Sequence, residues 1–460
     1  MAAKQTDAIA TPASYDPLLE NYPGAGWQLP DSYWSATTDI AADSGVLSQQ
    51  EAADVAIIGG GYTGLATAYY LAKTFNLSCV VLEANQAGWG CSGRNGGFAL
   101  KAGGRMGYQA MINRFGLAGA QAMFNETFAG LRRLRELIDD ERIDCEPQAD
   151  GHLWVAHKPA MMETAKSEAE LLKRAFGYET ELLSSEALAQ RYFKSPEAAG
   201  ALRFPDGFGL HPMKLMQGYV QMAMRQGIKL YRASPVTHWE SAEGRHVLHT
   251  PQGSVTAAKV VCATNGYTSP KLHKGLTNRT FPVLSNVLVT APLSDAQLAE
   301  TGFKTNQIIT DTRTLRYYYR KLPDNRILIG GRSAITGKDA LNPRHDEMLI
   351  ESLQRKFPAL EQIGIDYKWG GWVCVTYDDL PHVGQLPDDS SVFYAMGYGG
   401  SGVSFSLQAG WRLAQQIAGD KEVPPLPFYN QPLKKFPFAP FRRMGQRMLY
   451  QYFHLRDEYK

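Results

Sequence analysis

Residues 54–72, DVAIIGGGYTGLATAYYLA, constrain the fold of this chain more than any other stretch. Val55, Ala56, Ile57 and Ile58 form an apolar run of the kind a buried parallel strand needs. Gly59, Gly61 and Gly64 follow in G-x-G-x-x-G spacing, and the Ala- and Leu-rich segment after them reads as a helix. The glycines have separate jobs: a tight turn, close backbone approach to a pyrophosphate, and packing of helix on strand. The N–H groups at the helix start then face the phosphate charge. A second apolar strand, residues 79–82, ends in Glu83, 19 residues after Gly64. An acid there binds the ribose hydroxyls of an adenine dinucleotide. The alternative is a glycine-rich turn that binds nothing; the flanking strand and helix and the acid weigh against it.

Residues 87–105, AGWGCSGRNGGFALKAGGR, hold seven glycines in nineteen positions. Such a stretch stabilises neither helix nor strand, but it permits unusual backbone angles and close approach to a flat ligand. Arg94, Lys101 and Arg105, with no acid among them, favour an anionic or electron-rich ligand over a plain surface loop.

The 460 residues suffice for two domains of ordinary size. A composition 44% hydrophobic and 20% charged marks a folded chain. A net charge of +2 gives no argument for nucleic acid. No apolar run is long enough to span a bilayer, and the first residues carry no apolar signal core. The chain is therefore expected in the cytoplasm. The five cysteines (Cys79, Cys91, Cys145, Cys262 and Cys374) include no C-x-x-C pair, which fits reduced thiols and no metal site.

Residues 1–49 read as an arm laid over the surface and packed through its aromatics. His211, before a helix that starts with Pro212, is either a catalytic candidate or a structural residue. Residues 259–262 read as a buried strand ending in the small-residue turn 263–267. Residues 316–332 read as a hairpin, and alternation puts Tyr317 and Tyr319 on one face and Tyr318 on the other. Residues 392–419 repeat the pattern of strand, glycine-rich turn and helix, with the helix starting near Gly402 and capped at Gly419.

Seven motifs follow in order: VAIIGGGYTG with Glu83, SGRNGG at 92–97, GLHP at 209–212, VVCATNG at 260–266, PDNRILIGG at 323–331, TYDDLPHVG at 376–384 and GYGGSGVSFS at 397–406. Together they resemble the D-amino-acid oxidase superfamily of FAD enzymes, in the branch of glycine, sarcosine, pipecolate and γ-glutamylputrescine oxidases. SGRNGG and PDNRILIGG resemble the γ-glutamylputrescine oxidoreductases most. The implied fold is α/β with a Rossmann-like FAD-binding domain in three pieces, 50–105, 198–275 and 374–425. It is interleaved with an α+β substrate domain of antiparallel sheet, 106–197 and 276–373. The arm, 1–49, precedes them and a basic aromatic tail, 426–460, follows.

The resemblance implies Gly59, Gly61 and Gly64 at the FAD pyrophosphate and Glu83 at the ribose. It implies Ser92, Arg94, Asn95 and Gly96 beside the isoalloxazine. The turn Gly399, Gly400, Ser401, Gly402 and Val403 is implied at the N1/C2 carbonyl edge. Tyr62, Thr63, Ala84, Gly93, Gly97, Val236, Ala263, Thr264 and Gly266 complete the expected FAD set. Three departures matter. Gly371 stands where covalent members carry the flavin-linking cysteine, so FAD is expected to be non-covalent. Ser404 replaces the lysine that grips a substrate carboxylate. Leu328 replaces the lysine that assists O2, so either O2 or a quinone or electron carrier is expected as acceptor.

The implied activity is oxidation of an amine C–N bond to an imine by hydride transfer to flavin N5, with a γ-glutamylated polyamine or related amine as substrate. The rings of Tyr317, Tyr319, Trp369 and Trp372 can hold an alkyl-ammonium stem by cation–π contact. A second possibility is a cyclic or N-substituted amino acid such as pipecolate or sarcosine, its carboxylate clamped by Arg94, Arg316 or Arg332. A third is a partner-dependent electron-transfer flavoprotein. The tail motivates it, because its interleaved basic and aromatic residues suit the inner face of an anionic membrane as well as packing on their own domain.

Overall fold

The computed structural model describes residues 14–242, 244–429 and 431–459. The strand Gln50–Ile58 is the centre of the first sheet. It runs parallel to Cys79–Leu82 on one side and to Ser254–Cys262 on the other, so that Ile58 stands level with Leu82 and Cys262. Val55, Ala56 and Ile57 are fully buried, as a strand covered on both faces requires. Lys229–Tyr231 and Asp389–Met396 extend the sheet in parallel, and His382–Leu386 closes one edge antiparallel. The helices Tyr62–Phe75 and Gly402–Ala418 cross tightly, since a Cβ at Gly410 would lie 2.7 Å from that of Ala66.

The second sheet has eight strands in the order Ile365–Val375, Phe281–Thr290, Ile327–Gly331, Tyr318–Lys321, Ile308–Asp311, His152–Ala156, Gly200–Phe204, Glu181–Ser184. It is antiparallel except where Ile308–Asp311 runs parallel to His152–Ala156. The boundary expected at 198 needs correction. Gly200–Phe204 pairs with His152–Ala156 and Glu181–Ser184, so it belongs to the second sheet. The chain returns to the first sheet only at Lys229.

The arm does pack. Tyr15 and Trp34 are buried, and the Trp34 indole donates to the Asn95 carbonyl. His211 is structural. Its Nδ1 accepts from the Lys214 N–H as a helix cap, and its Nε2 lies 3.0 Å from Thr37 Oγ1. Burial pushes its pKa down to about 3, so the ring is neutral at ordinary pH.

The tail contains the helix Arg442–Tyr459. Its inner side is anchored to the body. The Arg443 guanidinium pairs with Asp16 at 2.9 Å and donates to the Pro282 carbonyl. Its outer side shows Met444, Met448, Leu449, Tyr452 and Leu455 to solvent. Among the described residues, no helix is long and apolar enough to cross a membrane.

Candidate active site

A cavity of about 530 Å³ takes its walls from both sheets. It begins where the central strand ends. Gly59 has φ +110, and a Cβ there would lie 2.9 Å from the Ala263 carbonyl, so only glycine makes this turn freely. A Cβ at Gly61 would reach to 2.8 Å from Ser92 Oγ, which itself accepts from the Tyr62 N–H at 3.0 Å. Glu83 Oε2 accepts from the Gly60 N–H at 2.8 Å and Oε1 from the Asn85 N–H at 3.0 Å. Burial nonetheless raises its pKa above the usual carboxylate range. Asn21, Tyr22 and Pro23 of the arm line this end too. They are tied down by Gly26 N–H to the Ala84 carbonyl and Trp27 N–H to Asn85 Oδ1.

Eighteen of the expected FAD-contacting residues line the cavity: Gly59, Gly61, Tyr62, Thr63, Glu83, Ala84, Ser92, Arg94, Asn95, Gly96, Val236, Ala263, Thr264, Gly399, Gly400, Ser401, Gly402 and Val403. Gly64, Gly93, Gly97 and Gly266 do not. They sit behind the wall, where a Cβ would lie 2.0 Å from the Gly59 carbonyl, 2.4 Å from that of Gly88, 2.0 Å from that of Leu210 and 2.6 Å from that of Trp372 respectively. Their smallness lets backbone segments close up behind the site.

Arg94 is held by its own neighbours. Its Nε donates to the Trp89 carbonyl at 2.6 Å, and its guanidinium stacks on the Trp89 ring at 4.2 Å. Its Nη2 is buried, with no hydrogen-bond partner among the described residues. Gly371 faces the cavity beside Arg94, whereas Cys374 is buried in the core. Opposite, Gly399 and Gly400 take φ +62 and +105 and lead into the helix Gly402–Ala418. Among the described residues no side chain caps the start of that helix, and its first residues Gly402 and Val403 line the cavity end. An unpartnered guanidinium donor, an uncapped helix start and a glycine cradle suit a flat cofactor with a diphosphate and an electron-rich ring edge.

Beyond this cradle the walls carry Arg105, Arg316 and Arg332. Arg332 Nη2 donates to the Gly399 carbonyl at 2.8 Å, which joins the two parts of the site. Burial, and then the neighbouring guanidinium of Arg105, push Arg332 down to about 10. Burial and Arg105 lower Arg316 as well. The Arg316 side chain is exposed and lines the cavity, and among the described residues it has no ion pair. The only acids on the cavity wall among the described residues are Glu83 and Asp206. Ser404, by contrast, is buried and donates to the Leu100 carbonyl. The wall also carries His152, whose Nε2 lies 2.7 Å from Thr310 Oγ1 and whose pKa burial pushes down to about 3.

Four rings expected at the substrate, Tyr317, Tyr319, Trp369 and Trp372, need correction. Tyr317 and Tyr319 face away from the cavity, into the core with Phe193, Leu353 and Phe357. Alternation puts Tyr318 on the opposite face, and it is this ring that lines the cavity. Tyr318 lies against Gly96 and Gly330, with its hydroxyl 2.9 Å from Ser285 Oγ. Trp372 is buried with Tyr15, Trp89 and Tyr267, its indole donating to the Tyr15 carbonyl at 3.1 Å. Trp369 is also behind the wall and donates to the Arg94 carbonyl. Of the residues expected at the substrate, the four rings lie off the cavity wall, whereas the arginines Arg94, Arg316 and Arg332 all line it.

Lys101 lines the cavity with its ammonium buried over the Tyr178 ring, 3.8 Å from Asp206 Oδ2. Burial pushes it down to about 8 from the ordinary 10.5. Below pH 8 the fold holds a disfavoured charge. Between pH 8 and 10.5 the unfolded chain keeps a proton that the folded chain has lost, so this contribution to stability rises with pH. Lys101→Met is therefore expected to gain on the order of 1–3 kcal/mol over the parent at pH 7, the gain shrinking by pH 10. Urea denaturation at both pH values checks it.

A Gly-rich strand–turn–helix with an acid on the second strand, a glycine-rich helix start opposite it and a cavity wall rich in arginine define a dinucleotide-dependent oxidoreductase. The chain belongs to the DAO family of FAD-dependent oxidoreductases, whose pattern it matches over residues 54–416. It is 32% identical to the gamma-glutamylputrescine oxidoreductase of Escherichia coli (strain K12), over 93% of this chain and 98% of that one. It is 25% identical to the glycine oxidase of Bacillus subtilis (strain 168), over 80% of this chain and 94% of that one. The crystal structure of glycine oxidase from Geobacillus kaustophilus has the same fold, with a TM-score of 0.69 at 21% identity, covering 84% of this chain and all of that one. The protein is an FAD-dependent enzyme acting on amines or amino acids.

Proposed function

We propose that the substrate is an amine that also carries a carboxylate, with a γ-glutamylated polyamine as the first choice. The observation that carries this is the trio Arg105, Arg316 and Arg332 on a cavity wall poor in acids. Guanidinium groups grip a carboxylate bidentately and stay charged in a dry site. The similarity to a gamma-glutamylputrescine oxidoreductase supports the choice of amine.

The residues that would hold FAD are Gly59, Gly61, Tyr62 and Thr63 at the diphosphate, Glu83 at the ribose, and Arg94 with the turn at Gly399–Val403 around the ring. Glycine at position 371 leaves the cofactor non-covalent in this reading. When bound, FAD would supply the hydride-accepting chemistry by which the amine C–N bond is oxidised to an imine, which water would hydrolyse. The protein's part is to bind and orient. The arginines fix the carboxylate end, Tyr318 forms the wall with Ser285, and neutral His152 adds polarity without charge.

The test is anaerobic mixing of the yellow protein with amines and amino acids, followed at the flavin band, then opened to air. Carboxylate-bearing γ-glutamyl diamines should bleach the flavin, and free diamines of equal length should not. Bleaching by free diamines would end this reading. Bleaching only by small cyclic or N-substituted amino acids would replace the γ-glutamyl substrate with that class. Fast recolouring in air identifies O2 as acceptor; slow recolouring identifies a quinone or carrier.

A further inference from the structure

Asp457 stands on the last turns of the C-terminal helix Arg442–Tyr459, yet it is 8% exposed. Its carboxylate serves another part of the chain. Oδ2 accepts from the Thr314 N–H at 2.8 Å and the Leu315 N–H at 3.1 Å, and Oδ1 accepts from Thr314 Oγ1 at 3.0 Å. The Asp457 carbonyl accepts from Lys158 Nζ at 3.1 Å, which holds the helix end in place. Arg456 adds a hydrogen bond to the same Thr314 hydroxyl.

Thr314 and Leu315 belong to the connection between the strands Ile308–Asp311 and Tyr318–Lys321. That connection carries Arg316, and both Thr314 and Arg316 line the cavity. Its base is gripped by Asp311, whose Oδ1 accepts from the Tyr317 N–H at 3.0 Å. Its tip is gripped by Asp457. A loop held at two points presents its guanidinium in one place; a loop held at one point does not. The other end of the helix is fixed by Arg443, through Asp16 and the Trp372 ring at 4.9 Å. The helix is therefore held at both ends.

We propose that Asp457 is a positioning residue of the active site, setting the place of the Arg316 guanidinium through the backbone amides of 314 and 315. The inference rests on the reading of the substrate as carboxylate-bearing. It makes the C-terminal helix a working part of substrate recognition.

The experiment compares Asp457→Asn and Asp457→Ala with the parent holoenzyme. Flavin content, thermal midpoint and circular dichroism are measured beside KM and kcat for the γ-glutamyl diamine. Binding of a simple aliphatic carboxylate is measured by its perturbation of the flavin spectrum. KM and the carboxylate dissociation constant should rise on the order of 10- to 100-fold, since a misplacement of about 1 Å has an effect of that size. Flavin content and kcat should change by less than about threefold, and Asp457→Glu should recover part of the affinity. Coupling to Arg316→Met should be strong: in that background the Asp457→Asn change should add almost nothing. Parent-like KM in Asp457→Asn overturns the inference. So does a parallel fall in flavin content and thermal midpoint with no separate change in KM. A parent enzyme indifferent to carboxylates overturns the functional reading itself, and the inference with it.

Discussion

Arg316→Met is expected to lower kcat/KM for a carboxylate-bearing amine on the order of 10²–10³-fold, about 3–4 kcal/mol. The flavin should remain bound, because Arg316 lies beyond the cofactor cradle. The size follows from the surroundings. Arg316 lines the cavity near Arg105, on a wall whose only acids among the described residues are Glu83 and Asp206. A substrate carboxylate there meets concentrated positive charge in a weakly screened space. Removing one guanidinium leaves that carboxylate desolvated and under-bonded. The decisive control is an amine without a carboxylate. Its kcat/KM should change less than about threefold between parent and variant; an equal loss for both substrates would show that the guanidinium does something other than hold a carboxylate.

The second large effect separates two glycines only three residues apart. Gly61→Val is expected to give a folded but colourless protein. The added atoms enter the cavity beside Ser92, where the diphosphate would lie, and FAD affinity should fall by at least about 10³-fold. Gly64→Val is expected to damage the fold itself. Its Cβ would stand 2.0 Å from the Gly59 carbonyl, an obstacle of backbone that no side-chain rotation relieves. A loss of at least about 3 kcal/mol, seen as poor soluble yield and a lowered denaturation midpoint without FAD, is the expected result. If both variants fold and both lose flavin equally, the division of labour between the glycines is wrong.

The contrast shows what the amino-acid pattern reveals. G-x-G-x-x-G with Glu83 is readable because each residue is demanded by local geometry: a positive φ, a close approach, a short reach to a backbone amide. The two-sheet architecture is readable only through the family resemblance that the ordered motifs carry, not through local geometry. The substrate wall is a different matter. Alternation correctly separates Tyr318 from Tyr317 and Tyr319, but no local rule says which face of a strand buried on both sides meets the cavity. Trp372 and Gly371 pose the same problem one residue apart. Gly371 lines the cavity while Trp372 packs on Tyr15, a partner more than three hundred residues away. The arm residues Asn21–Pro23 and the grip of Asp457 on Thr314 depend wholly on such distant packing. The boundary at 198 failed for a related reason: Gly200–Phe204 finds its pairing partners in the segment before it, and only the paired sheet reveals that.

The interleaving of the two sheets has a consequence for how the molecule comes into being. The chain builds part of the first sheet with residues 50–82, leaves for the second, returns at 229–262, leaves again, and returns at 382–396. The two sides of the cofactor cradle, Gly59–Thr63 and Gly399–Val403, are separated by more than three hundred residues of synthesis. A growing chain emerging at about 5–20 residues per second cannot complete either sheet until its last quarter has appeared. Pairings of such long range are slow to close, and the half-made sheets expose unpaired edges in the meantime. The cradle therefore cannot form before residues 399–403 have been made, and the cofactor can be received only by a chain that already carries both glycine-rich turns.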